Sequence, residues 1–165
     1  MEILKESILS HSSHGGEGFK AQRREMIEKW LKEYNIRNYT INDDFTIDVN
    51  QNVDISLRNL IEFPEYIQFE KVNGYFKCNL NELISLRGCP RVVRGDFNCA
   101  YNNLTTLEGG PKEVGGKFLC DSNYLTSLKG TPEKVRGDFY CRGNNTEFTE
   151  EDIRVACRVK GEINV

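Results

Sequence analysis

The apolar positions of this chain follow two rhythms, a short alternation nested inside a period of 21 residues. Four successive units open at Gly74, Gly95, Gly116 and Gly137 with the pattern Gly-x-Phe-x-Cys. Phe76 and Cys78, Phe97 and Cys99, Phe118 and Cys120, and Phe139 and Cys141 carry it. An Asn follows three residues after each Cys (Asn81, Asn102, Asn123, Asn144), then Leu83, Leu104 and Leu125, then Leu86, Leu107 and Leu128. Gly88, Gly109 and Gly130, then Pro90, Pro111 and Pro132, then Val93, Val114 and Val135 complete the first three units. A fixed period shared over so many positions marks a repeat architecture.

Each feature has a physical reading. Period-two alternation puts Phe and Cys on one side of a short strand. Stacked units pair these strands into a parallel sheet, Phe on Phe and Cys on Cys, because one unit cannot bury its own face. The Asn stands where the chain leaves the strand, and an inward amide there can satisfy backbone groups that would otherwise be buried unpaired. Gly and Pro bend the return arm, and Val closes the core before the next Gly. A longer first unit precedes the array, with Val53, Ile55, Leu57, Leu60 and Phe63 spaced as a strand and its exit.

The segment 53–148 resembles the leucine-rich-repeat family, in its short bacterial and bacteriophage-type form. Phe97-x-Cys99-x-x-Asn102-x-Leu104 and Leu107-x-Gly109-x-Pro111, with their copies, carry the resemblance. It implies an α/β fold, a leucine-rich-repeat-like solenoid with a short parallel sheet. One position departs from the family pattern. The apolar residue expected three places before the strand Phe is replaced by Asn73, Arg94, Gly115 and Arg136, and the Val falls one residue earlier. A return arm on a different path is the expected consequence.

The flanks read as caps. In 19–52, Ile27, Trp30, Leu31 and Tyr34 mark an amphipathic helix over Arg23–Asn35. Glu25/Lys29 and Glu28/Lys32 form favourable i,i+4 pairs on its outer side. Tyr39–Ile41 and Phe45–Val49 read as a hairpin around Asn42-Asp43-Asp44. Helix and hairpin together would cover the open edge of the array. In 149–165, Thr149-Glu150-Glu151-Asp152 is a variant capping box opening a helix through about Arg158. Ile153, Ala156 and Cys157 are its inward residues, Gly161 its stop, and Ile163 and Val165 a final strand. Residues 1–18 form a leading segment, with Leu4 and Ile8 aligned as on a short helix and Ser10–Gly18 of flexible-linker composition.

Composition narrows the function. Hydrophobic residues are 38% and charged residues 28%, a folded rather than a disordered balance. No apolar run approaches the roughly 20 residues that cross a bilayer, and the first residues lack the basic start and apolar block of a secretory signal. A cytoplasmic location is expected, without membrane contact. With a net charge of −3 and Lys and Arg scattered among acids, a nucleic-acid partner is disfavoured.

Catalytic and metal chemistry lack the residues they need. Four of the six Cys occur once per repeat, without the two-to-four-residue pairing of structural zinc sites. They read as a buried ladder of small apolar side chains, and Cys89 and Cys157 need no special role. His11 and His14 both lie before the array, so no His stands beside a repeat Cys or Ser as a base. Gly109-Gly110 and Gly115-Gly116 lack the Lys-Ser/Thr of a phosphate loop. The chain therefore reads as a non-enzyme without cofactor or metal.

The variable positions between the core rows are the candidate contact surface: Tyr75, Lys77 and Asn79; Asp96, Asn98 and Ala100; Lys117, Leu119 and Asp121; Asp138, Tyr140 and Arg142. They alternate with Phe and Cys, face outward, and differ from unit to unit. Tyr and Arg are frequent binding hot spots. The expected function is protein binding through this face. The family resemblance implies a phage-encoded inhibitor of a bacterial host protein, in an anti-defence or anti-CRISPR role. A nucleic-acid binder or mimic and a self-assembling structural protein are the alternatives.

Overall fold

Phe76, Phe97, Phe118 and Phe139 each open a two-residue strand, and these strands stack in parallel register, Phe against Phe. The computed structural model describes residues 15–165. Along the chain run α1 (Gly15–Glu33), β1 (Tyr39–Ile41), β2 (Ile47–Val49), β3 (Val53–Asp54), β4 (Phe69–Val72), β5 (Phe76–Lys77), β6 (Val92–Val93) and β7 (Phe97–Asn98). There follow β8 (Glu113–Val114), β9 (Phe118–Leu119), β10 (Lys134–Val135), β11 (Phe139–Tyr140), α2 (Glu150–Ala156), β12 (Arg158–Val159) and β13 (Ile163–Asn164). The described residues form a β-solenoid of about six turns with two helices, its coils starting at Asn52, Gly74, Gly95, Gly116, Gly137 and Gly161.

Each coil contributes to two sheets, where the sequence predicts one. The Phe strands form a six-stranded sheet in the order β13-β11-β9-β7-β5-β3. The Val strands form a seven-stranded sheet in the order β1-β2-β4-β6-β8-β10-β12. All pairs are parallel except the β1/β2 hairpin. The second sheet accounts for the family pattern's apparent gap. Val93, Val114 and Val135 are the inward residues of its strands, fully buried. The next residue in each coil therefore points outward and has no reason to be apolar.

Glycine turns the corner between the sheets. The amide of Gly95 donates to the carbonyl of Gly74 at 3.0 Å, Gly116 to Gly95 at 2.9 Å, and Gly137 to Gly116 at 2.9 Å. A Cβ on Gly137 would lie 2.7 Å from the carbonyl carbon of Gly116, so only glycine permits this approach.

The core fills the space between the sheets. Phe76 and Phe97 stack at 5.8 Å and 7° between planes, Phe97 and Phe118 at 5.5 Å and 9°. Phe118 and Phe139 follow at 5.0 Å, tilted by 34°. The Cys ladder is buried and free of disulfides. The Asn ladder does what its position predicts. Asn102 Nδ2 donates to the carbonyls of Cys78 and Cys99, both at 3.0 Å, and its Oδ1 accepts the Leu83 amide at 3.0 Å. Asn123 repeats this with Cys99, Cys120 and Leu104. Each amide thus ties two coils together while filling the orphaned groups of a buried turn.

Helix α1 starts at Gly15, inside the segment whose composition suggests a linker. The rest of that segment, with Leu4, Ile8, His11 and His14, lies outside the described residues. Ile27, Trp30 and Leu31 are buried, with Trp30 edge-on to Phe69 at 6.1 Å. The Glu25/Lys29 and Glu28/Lys32 pairs are not among the ion pairs within 4.0 Å, consistent with long side chains in water. Strand β2 spans Ile47–Val49 only, because Phe45 has φ 67° and belongs to the turn.

At the other end, Thr149 accepts the Asp152 amide at 3.2 Å and the Asp152 carboxylate accepts the Thr149 amide at 2.8 Å, a complete capping box. Helix α2 ends at Ala156, earlier than expected, because Arg158–Val159 pairs with β10. Gly161 is accordingly a corner glycine rather than a helix stop, donating to Gly137 at 3.1 Å. Ile153 and Cys157 face inward as expected, but Ala156 is exposed; the final strand is Ile163–Asn164, with Val165 just beyond it. The C-terminal segment is thus a further coil in which a helix replaces the return arm.

Candidate functional site

The outward rows of the six-stranded sheet are where the variable side chains gather. Parallel register stacks Lys77, Asn98, Leu119 and Tyr140 in one column. Tyr75, Asp96, Lys117 and Asp138 flank it on the glycine side, and Asn79, Ala100, Asp121 and Arg142 on the other.

Several of these residues are engaged within the fold. Asp96 Oδ1 accepts the Lys117 amide at 2.8 Å, and Asp138 Oδ1 accepts the Glu162 amide at 3.0 Å. Asn52 serves Tyr75 in the same way at 3.1 Å. At the other flank, Asp121 Oδ1 accepts the Arg142 amide at 2.8 Å. These acids tie coil to coil. Lys117 Nζ pairs with Asp138 Oδ2 at 3.1 Å and lies 5.5 Å from the Tyr140 ring centre. Lys77 Nζ lies 4.5 Å above the Tyr75 ring.

The electrostatics follow these contacts. The hydrogen bond to Asp138 holds the Lys117 ammonium above its ordinary pKa. The Glu162 amide, then Lys117, hold the Asp138 carboxyl below its usual value. Desolvation pushes the Asp121 carboxyl up, against its bond to the Arg142 amide. Ala100 is buried, so it is a floor residue rather than a free outward position. Asp96, Lys117 and Arg142 are exposed; Tyr75, Lys77, Asn79, Asn98, Leu119, Asp121, Asp138 and Tyr140 are half-buried. Beside this floor lies an open groove of about 370 Å³ between Asn79, Leu80, Tyr101, Leu119 and Arg142.

Sequence reasoning missed the rim of this face. Leu57, Leu80, Tyr101, Ser122 and Gly143 hold equivalent places after the strand, all at positive φ of 52–66°. Leu57 is 70% exposed, Leu80 44% and Tyr101 57%. Leu57 continues the alternation of the buried Val53 and Ile55, but its left-handed backbone turns it outward. A non-glycine side chain in this conformation costs about 1–2 kcal/mol, and Gly143 occupies the same place in a later coil. Ile61 and Ile84, four residues after Leu57 and Leu80, are exposed as well and joined by a 3.1 Å bond from the Ile84 amide to the Ile61 carbonyl. The signal was present in the sequence: this column changes from Leu and Tyr to Ser and Gly along an otherwise regular repeat.

The thiols are poorly placed for chemistry. Burial pushes the Cys78, Cys99 and Cys120 thiols well above their ordinary pKa, and Cys157 to about 11. Among the described residues no three His, Cys, Asp or Glu converge on a point that could hold a metal ion. No described helix is long and apolar enough to cross a membrane. No protein-family model, no curated protein and no solved structure matches this chain.

Proposed function

We propose that this chain is a non-enzymatic protein-binding module whose contact surface is the outer face of the six-stranded sheet together with its apolar rim. The observation that carries this reading is the run of exposed Leu57, Leu80 and Tyr101, held at positive φ on successive coils. Both their backbone conformation and their exposure oppose stability, and a binding partner that covers them would offset both. Beside them, Leu119, Tyr140 and Arg142 supply the apolar, aromatic and guanidinium groups common at binding hot spots. Burial that raises the pKa of the Cys78, Cys99 and Cys120 thiols supports a binding role over a covalent one.

On this reading α1 with the β1/β2 hairpin, and α2 with β12 and β13, cap the two ends of a leucine-rich-repeat-type array. The biological role that the repeat pattern suggests is inhibition of a bacterial host protein by a phage-encoded factor acting in the host cytoplasm. Capture of partners from nuclease-treated bacterial lysate by the tagged chain tests it. One host protein should be retained in stoichiometric amount, and lost with Leu80→Ser/Tyr101→Ser and with Lys117→Glu/Arg142→Glu. Retention unchanged in both variants overturns the assignment of this face, and retention only without nuclease overturns protein binding.

A further inference from the structure

The seven-stranded sheet carries a second surface, round the glycine corner from the first. Val135 points inward, so strand alternation puts Lys134 and Arg136 together on the outside. Val159 likewise puts Arg158 and Lys160 on the outside of the next coil. Lys134 stands directly opposite Arg158 and Val135 opposite Val159, which sets Arg136 opposite Lys160. The result is a rectangle of four cations, about 4.8 Å between coils and about 6.6 Å along each strand at the backbone. Arg94 joins them two coils away, across Gly115, which has no side chain to intervene. Glu113 is the one carboxylate on the outward positions of β6, β8, β10 and β12.

None of the five cations is in an ion pair within 4.0 Å among the described residues. Like charges directly opposite across paired strands are destabilising. Glu113 on β8 stands opposite Lys134, whereas Arg136, Arg158 and Lys160 have no acid opposite them across a paired strand.

We propose that this face, built on Arg94, Lys134, Arg136, Arg158 and Lys160, docks an extended acidic segment of a partner protein. An extended segment with acids at alternate positions presents carboxylates about 6.6 Å apart on one side, the spacing of the cations along β10 and β12. A nucleic acid fits less well. The outward positions of β6, β8, β10 and β12 carry no aromatic side chain for base stacking.

The test is fluorescence anisotropy with the full chain and a labelled synthetic peptide alternating Glu and Thr. A peptide alternating Lys and Thr, and single- and double-stranded oligonucleotides, serve as competitors. The acidic peptide should bind at low salt, weaken as salt rises, and bind at least 10-fold more weakly to Arg136→Glu/Lys160→Glu. Circular dichroism reports whether that variant folds, and Arg136→Gln/Lys160→Gln gives the same reading at lower risk to the fold. Lys117→Glu/Arg142→Glu, on the other sheet, should leave the peptide's binding unchanged, so this proposal and the function proposed above fail separately. No binding of the acidic peptide, unchanged binding in both variants of this face, or tighter binding of an oligonucleotide would overturn it.

Discussion

The two outer faces of this solenoid rest on one interior and treat charge in opposite ways. On the six-stranded sheet, Asp96, Asp121 and Asp138 accept backbone amides of the following coil, and Lys117 is paired with Asp138. On the seven-stranded sheet, Lys134, Arg136, Arg158 and Lys160 face one another across β10 and β12, and none is in an ion pair within 4.0 Å among the described residues, although Glu113 stands opposite Lys134 on β8. The lesson is that a repeat constrains its inward rows by packing and leaves each outward face free to spend its charges inside the fold or hold them for a ligand.

Both faces rest on the shared interior, and breaking that should have the largest effect. Asn102→Ala orphans the carbonyls of Cys78 and Cys99 and the Leu83 amide in a buried turn. A loss of about 2–5 kcal/mol is expected, seen as a lower urea midpoint with both sheets melting together. Two separate transitions would show that the faces do not share one cooperative unit.

At the rim, Leu80→Gly should raise stability by up to about 1 kcal/mol, because glycine adopts the positive φ without strain. A drop in Tm would show that Leu80 packs for stability and is not held in reserve. Next comes one charge reversal made on each face, with opposite expected signs. Lys160→Glu sets an acid opposite Arg136 and should stabilise by about 0.2–1 kcal/mol. Lys117→Glu sets an acid beside Asp138 and should destabilise. The same sign for both, read from urea midpoints at low salt, would erase the distinction between the faces.

The smallest effect is a pH dependence. The folded pKa of Asp138 lies below its ordinary 3.8, so its contribution is present above that value and is lost as pH falls through the folded pKa. The pKa of Asp121 lies above 3.8, through desolvation, which has the reverse sign. Asp121→Asn should therefore be more stable than the parent at neutral pH, with the advantage vanishing below about 3.8, where the carboxyl is protonated folded and unfolded. An advantage that persists in acid would mean that the bond to the Arg142 amide, rather than the charge, governs this position.

Much of the interior was legible in the residues. Phe97 and Cys99 alternate, Asn102 follows at the turn, and the stacking of each on its copies fills a core that one coil could not close. The ends were legible in part. Thr149 and Asp152 announced a helix start, yet the helix stops at Ala156, which is exposed, because pairing of Arg158–Val159 with β10 outweighed the continued helical pattern. Leu57 departs from the alternation of Val53 and Ile55 for a related reason. Alternation tells which side a residue takes only while the backbone stays extended, and the left-handed turn reverses it.

What the sequence determined by itself was the period, and with it a stacked parallel architecture, since no other arrangement buries Phe, Cys and Asn at those intervals in every coil. What only the tertiary structure decided was how the coil closes and what its outside presents. The return arm pairs with its own copies as a second sheet because glycine at the corner lets neighbouring backbones approach closely enough to bond. The same register then sets Lys134 against Arg158 and Lys117 within reach of Asp138. Those relations depend on which strands lie side by side, and a single repeat read along the chain does not contain them.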